Sequence, residues 1–166
     1  MLKIIFFSLY CFNVVSSSIQ AQNHKTKSVI LDTDMGPDYD DVGALTLLHA
    51  FADSGKINIL ATMASTKYEG VAAVLNVLNT YFKKPLIPIG VPKGEAIMQK
   101  DWQHWTDTLI AKYHHTIKNN SEVPDAVELY RKILAQQPDN SVTIVTIGFL
   151  TNISNLLQSG PDHYSS

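Results

Sequence analysis

The sequence is poor in the residues that would place it in several common classes. Of 166 residues only one is cysteine, Cys11. A single cysteine excludes an internal disulfide framework, and the spaced Cys/His sets of a structural zinc site are absent. Neither sign of charge dominates, with 13 Lys plus Arg against 15 Asp plus Glu and a formal net charge of -2. Nucleic-acid binding needs clustered Lys and Arg against phosphate, and no such cluster occurs. Glycine loops of the G-x-G-x-x-G or G-x-x-x-x-G-K-S/T form are missing, which excludes the common nucleotide-phosphate cradles. No apolar run reaches the roughly 20 residues needed to span a bilayer. What remains, 45% hydrophobic and 17% charged, is the composition of a folded domain and not of a disordered tail.

The N-terminus reads as an export signal. Lys3 is followed by the apolar run 4–15 and then by the small and polar residues 16–21, ending in Ala21. Cleavage after Ala21 would divide the chain into a signal peptide, 1–21, and a mature part, 22–166, without cysteine. The expectation is an exported protein, periplasmic or secreted, with no membrane attachment once the signal is removed.

Short apolar runs then alternate with longer amphipathic ones. Strands are expected at 28–31, 57–63, 86–89 and 141–147. Helices are expected at 41–54, from a Thr66/Glu69 capping box to Phe82, over 102–118, from Pro124 as first helical residue, and from Thr151 to Leu157. Strand and helix in alternation imply crossover connections: an α/β fold with an open, mostly parallel sheet and helices on both faces. In such sheets ligands bind beyond the carboxyl ends of the strands.

Five of the fifteen acids fall within ten residues directly after the first strand: Asp32, Asp34, Asp38, Asp40 and Asp41. Two like charges 4 Å apart repel by about 1 kcal/mol in water and about 4 at an effective dielectric of 20. Converging carboxylates therefore take up protons or a cation. An oxygen-only donor set favours a hard ion, Ca²⁺ or Mg²⁺. Gly36 permits a tight turn inside the run, and Asp40 and Asp41 open the next helix, where its dipole favours negative charge. An EF-hand loop starting at Asp32 would need Gly and Glu where Pro37 and Gly43 stand. A phosphoryl-transfer D-x-D-x-T/V motif is spoiled by Gly36.

The string Asp32-Thr33-Asp34-Met35-Gly36, followed by Asp40-Asp41-Val42-Gly43-Ala44-Leu45, resembles the D-x-D-x-G-x-D-D-A-x-A-L signature of the nucleoside hydrolases, the inosine–uridine-preferring N-ribohydrolases. Two extra residues, Asp38 and Tyr39, lengthen the loop between its halves. A second segment, Gly148-Phe149-Leu150-Thr151-Asn152-Ile153, resembles the family's G-x-L-T-N-I/L. The resemblance covers about 28–157 and implies a Rossmann-like nucleoside hydrolase fold. It also implies Ca²⁺-dependent hydrolysis of ribonucleosides to base and ribose, through an oxocarbenium-like transition state.

By the same resemblance, Asp34 is general base and metal ligand, Asp41 a metal ligand, and Ile147 a ligand through its backbone carbonyl. Asp40 and Lys67 would bind the sugar, Lys67 replacing a common family Asn, and Asp32 would support the ligands from behind. Family domains are about twice this length, which implies that this chain is an N-terminal part with impaired activity. They are often dimers or tetramers, so a homo-oligomer is implied, with no interface legible. A non-catalytic Ca²⁺-binding module on the same fold is the alternative. Asp38 has no family counterpart. The Trp and His residues between Trp102 and His115 fit an amphipathic helix better than a base-binding site.

Overall fold

The computed structural model describes residues 26–164. The apolar run 4–15, Cys11 and the cleavage point at Ala21 lie outside them. Four strands, β1 (Lys27–Thr33), β2 (Ile57–Ala64), β3 (Ile89–Gly90) and β4 (Val142–Thr146), form one sheet in the order β3-β2-β1-β4. Every pairing is parallel, so the expected α/β architecture is the observed one. The chain builds outward from β1 through β2 to β3, then returns to place β4 on the other side of β1. That reversal puts a crevice at the carboxyl ends of β1 and β4, where open α/β sheets bind ligands.

Alternation along β1 sends Val29 and Leu31 to one face and Ile30 to the other. On the first face lie α1 (Asp40–Asp53) and α2 (Val71–Tyr81). Nine consecutive residues of α2, Val71 to Asn79, are buried, seven of them apolar and the two asparagines, Asn76 and Asn79, hydrogen-bonded. The short helix α3 (Trp105–Lys112) packs over it. On the second face α4 (Ala126–Leu134) and α5 (Thr151–Gln158) cover Ile30, Ala61 and Met63 with Leu129, Tyr130, Ile153 and Leu156. Among the described residues no helix is long and apolar enough to cross a membrane.

Several element boundaries differ from expectation, each for a local reason. The Thr66/Glu69 capping box does not form. Thr66 donates its hydroxyl to the Ile97 carbonyl and Glu69 accepts from the Asn120 amide, while α2 starts after Gly70 at φ +104°. Pro124 precedes α4 instead of opening it. Asp125 is the cap, its Oδ1 accepting from the amides of Val127 at 2.8 Å and Glu128 at 3.2 Å. Thr151 begins α5 without a side-chain cap. The third strand shrinks to two residues, held off by Pro85 and Pro88. The expected helix over 102–118 is only eight residues long, because His104 takes a left-handed φ of +59° and the backbone is extended again at Tyr113.

Candidate metal and nucleoside site

All five clustered acids gather around the carboxyl end of β1, but on two different sides of it. Asp32 continues the register of Ile30 and turns toward α4 and α5. There it is fully buried, accepting from the Tyr130 hydroxyl at 2.8 Å and from Asn152 Nδ2 at 3.1 Å. Burial lifts its carboxyl to about 6; the bonds from Tyr130 and Asn152 pull it down, and the charge of Asp34 adds to the rise. Its backbone carbonyl accepts from the Ile147 amide at 2.9 Å, tying the end of β4 to that of β1.

Thr33 points the other way, to α1. Its hydroxyl donates to Asp41 and accepts from the Met35 amide at 3.2 Å. Asp41 is 1% exposed. Its carboxyl is pushed up to about 7, chiefly by burial and further by the charges of Asp34, Asp40 and Asp38, against the bond from Thr33. Asp34, just past the strand, is half-buried and also raised, first by burial and then by the charge of Asp40, against a hydrogen bond that its carboxylate accepts from its own backbone amide. Asp38 and Asp40 are exposed and share a hydrogen bond that holds Asp38 up and Asp40 down.

Carboxylate oxygens of Asp38, Asp40 and Asp41 lie within 4.8 Å of one another. The structure therefore brings Asp38, which the sequence left open between a solvent-facing and a functional role, into the same group as Asp40 and Asp41. Asp34 stands beside this trio and acts on Asp38 and Asp41 through its charge. Among the described residues no lysine or arginine pairs with any of the five acids. A buried carboxylate facing like charges, in a group made up of carboxylates, fits a hard divalent cation. The cluster can hold a metal ion.

The crevice floor depends on a glycine. A Cβ at Gly148 would lie 2.5 Å from the Asp34 amide nitrogen and 2.4 Å from Ser65 Oγ, so the turn that follows β4 approaches the acidic loop as closely as backbone allows. Ser65 Oγ in turn accepts from the Phe149 amide at 3.0 Å. A second glycine, Gly36, sits at φ +152° with its Cα against the Tyr68 ring, where a Cβ would be 2.9 Å from Cε1.

Lys67 follows β2 on the same edge of the sheet, but its ammonium donates to the Gly94 carbonyl at 3.0 Å and bonds none of the acids. Ile147 adjoins the end of β1 and rests its side chain on the first core. In the Trp/His segment, Trp105 packs inward and Trp102 is 73% exposed. His115 is buried and His104 and His114 are exposed. Tyr130, Asn152, Ser65 and Gln103 are site-supporting residues that sequence reasoning missed. Only Asn152 carried a signal, as part of the segment after the fourth strand.

The comparisons with known proteins fit this geometry. The chain superposes on the type III effector protein XopQ complexed with adenosine diphosphate ribose (TM-score 0.63, 17% identity), covering 80% of this chain and 39% of that one. It superposes comparably on the effector protein XOO4466 (TM-score 0.61, 16% identity), again covering 80% of this chain and 39% of that one. The chain thus spans about two fifths of the length of these structures. At such identity the likeness shows a shared fold. No curated protein matches the sequence. The family model described as inosine-uridine preferring nucleoside hydrolase matches residues 29–166, and the chain belongs to that family.

Proposed function

We propose that this chain carries the acidic, N-terminal side of a Ca²⁺-dependent site that hydrolyses the N-glycosidic bond of ribonucleosides to free base and ribose. The observation that carries the reading is the convergence of Asp38, Asp40 and Asp41 beside Asp34 at the sheet's reversal point, in a chain of this family. Asp34, Asp41 and the carbonyl of Ile147 would hold the ion together with Asp38. When bound, Ca²⁺ would orient water and sugar hydroxyls and stabilise negative charge.

The remaining chemistry belongs to the chain's own groups. Asp34, raised and half-buried, accepts the proton of the attacking water. The water oxygen bonds to the anomeric carbon as the carbon–nitrogen bond breaks, its electron pair leaving with the base, whose nitrogen takes up a proton from solvent. Asp40, exposed and held ionised, accepts a hydrogen bond from a ribose hydroxyl. Lys67 reaches the sugar by exchanging its bond to the Gly94 carbonyl for one to a hydroxyl. Asp32, fixed by Tyr130 and Asn152, keeps the end of β1 from moving. That a protein of this fold holds ADP-ribose supports a ribosyl group as the recognised unit.

The test is ribose release from inosine and uridine, with added Ca²⁺, by the full-length protein that carries this sequence, the 166 residues alone being expected to turn over negligibly. Release that stops with chelator and falls by at least about 10³-fold in Asp34→Ala, the range of a lost general base, supports the assignment. Ca²⁺ binding without any ribose release by that full-length protein marks a non-catalytic Ca²⁺-binding module on the same fold. We also propose export directed by the apolar run 4–15; N-terminal sequencing of the secreted or periplasmic protein would begin at Gln22, and recovery of the intact N-terminus in the cytoplasm would overturn it.

A further inference from the structure

The loop 36–39, which carries Asp38, has neither helix nor strand to hold it. What holds it comes from the turn that precedes α3. Gln103 Nε2 donates to the Pro37 carbonyl at 2.9 Å, and Gln103 Oε1 accepts from the Tyr39 hydroxyl. One side chain thus grips the residue before Asp38 and the residue after it. Only one orientation of the amide satisfies both bonds. The ring of Tyr39 also leans on Trp105, with centroids 5.7 Å apart.

Gln103 is itself anchored. Its amide donates to Asp101 Oδ1 at 2.9 Å, while Asp101 Oδ2 accepts from the Thr106 amide at 2.7 Å and hydroxyl at 2.8 Å. Asp101 is buried, and α3 rests on α2, whose first nine residues are buried. Support therefore runs from the core through α3 and Asp101 to the loop.

We propose that Gln103 is a positioning residue for the metal site: by clamping both flanks of Asp38 it holds that carboxylate against Asp40 and Asp41, and so raises the affinity for a divalent or trivalent cation. The inference rests on the metal reading above. Three carboxylates within 4.8 Å repel one another, and Asp38 is the one on an irregular loop, free to swing into solvent without a tie. A neutral amide suits the task, since a lysine or arginine there would compete with the cation. Partners of metal ligands commonly change metal affinity by about 10- to 100-fold when removed.

The experiment is a titration of the full chain with Tb³⁺, read by luminescence sensitised through Tyr39 and Trp105. It is paired with hydrogen exchange of the 36–41 amides in chelator. Gln103→Leu should raise the Tb³⁺ Kd about 10-fold and speed exchange at 36–41, with Tm within about 2 °C of wild type. Tyr39→Phe, which cuts one of the two bonds, should give a smaller rise and add nothing to Gln103→Leu. Wild-type affinity and exchange in Gln103→Leu would overturn the clamp and leave the metal reading standing. No Tb³⁺ binding by the unaltered chain would overturn both. Should Gln103→Leu fail to fold, unchanged affinity in Tyr39→Phe overturns the clamp.

Discussion

Asp32 and Asp41 are both buried carboxylates at the end of β1, yet they live in opposite surroundings. Asp32 is met by two neutral donors, Tyr130 and Asn152, on the α4/α5 side. Asp41, on the α1 side, has the Thr33 hydroxyl and otherwise the like charges of Asp34, Asp38 and Asp40. The first is a finished hydrogen-bonded node. The second is a carboxylate whose compensation must come from a proton or a cation. The same residue type, nine positions apart, thus serves architecture on one face and ligand binding on the other, and the neighbours decide which.

Substitution should separate the two most sharply. Asp41→Asn is expected to weaken Ca²⁺ binding by 100-fold or more, on the order of a lost direct ligand, while leaving the metal-free protein at least as stable, because a repelled buried charge is gone. Asp32→Asn should weaken Ca²⁺ by only about 10-fold but cost about 1–3 kcal/mol of stability, since an amide cannot accept at both oxygens. Calorimetric titration and urea denaturation measure the pair. Equal effects of the two changes on both readouts would erase the distinction.

The pH profile comes next in size. Burial raises both carboxyls, so each binds its proton more tightly folded than unfolded. Their contribution is fully present below about pH 4 and declines as pH climbs through about 6 for Asp32 and about 7 for Asp41. In chelator, stability should therefore drop between about pH 4 and 7 by on the order of a few kcal/mol. Asp41→Asn should flatten the upper part of that drop and Asp32→Asn the lower part, and added Ca²⁺ should restore more at pH 8 than at pH 5. The smallest effect tests α4, which carries Tyr130. Asp125→Ala removes the helix cap and should cost about 1 kcal/mol, with Ca²⁺ affinity unchanged.

Much of this was readable from local pattern. The runs that became β1, β2 and β4 are continuous and β-branched, and their alternation with helical spacing required a parallel sheet. The acids were visible because they are adjacent in sequence. What escaped were choices made by distant partners. Thr66 and Glu69 fit a capping box locally, but Ile97 and Asn120 offered them better-placed bonds. The role of Asp38 stayed open in the sequence, because only the folded loop brings it near Asp40 and Asp41. Tyr130 reaches Asp32 across 98 residues, Asn152 across 120, and Gln103 reaches Tyr39 across 64; no window of neighbouring residues contains such pairs. The division of Asp32 from Asp41 likewise depends on which helices cover each face.

Gly148 has a consequence for how the molecule comes to be. The acids are translated early, but Asp34 is wedged in place by a backbone that arrives only when β4 docks beside β1. A nascent chain still short of β4 holds all five carboxylates and no crevice. Closing so long a loop is slow, so the ion-binding geometry is a late product of folding. Calcium would then lock the finished sheet instead of nucleating it.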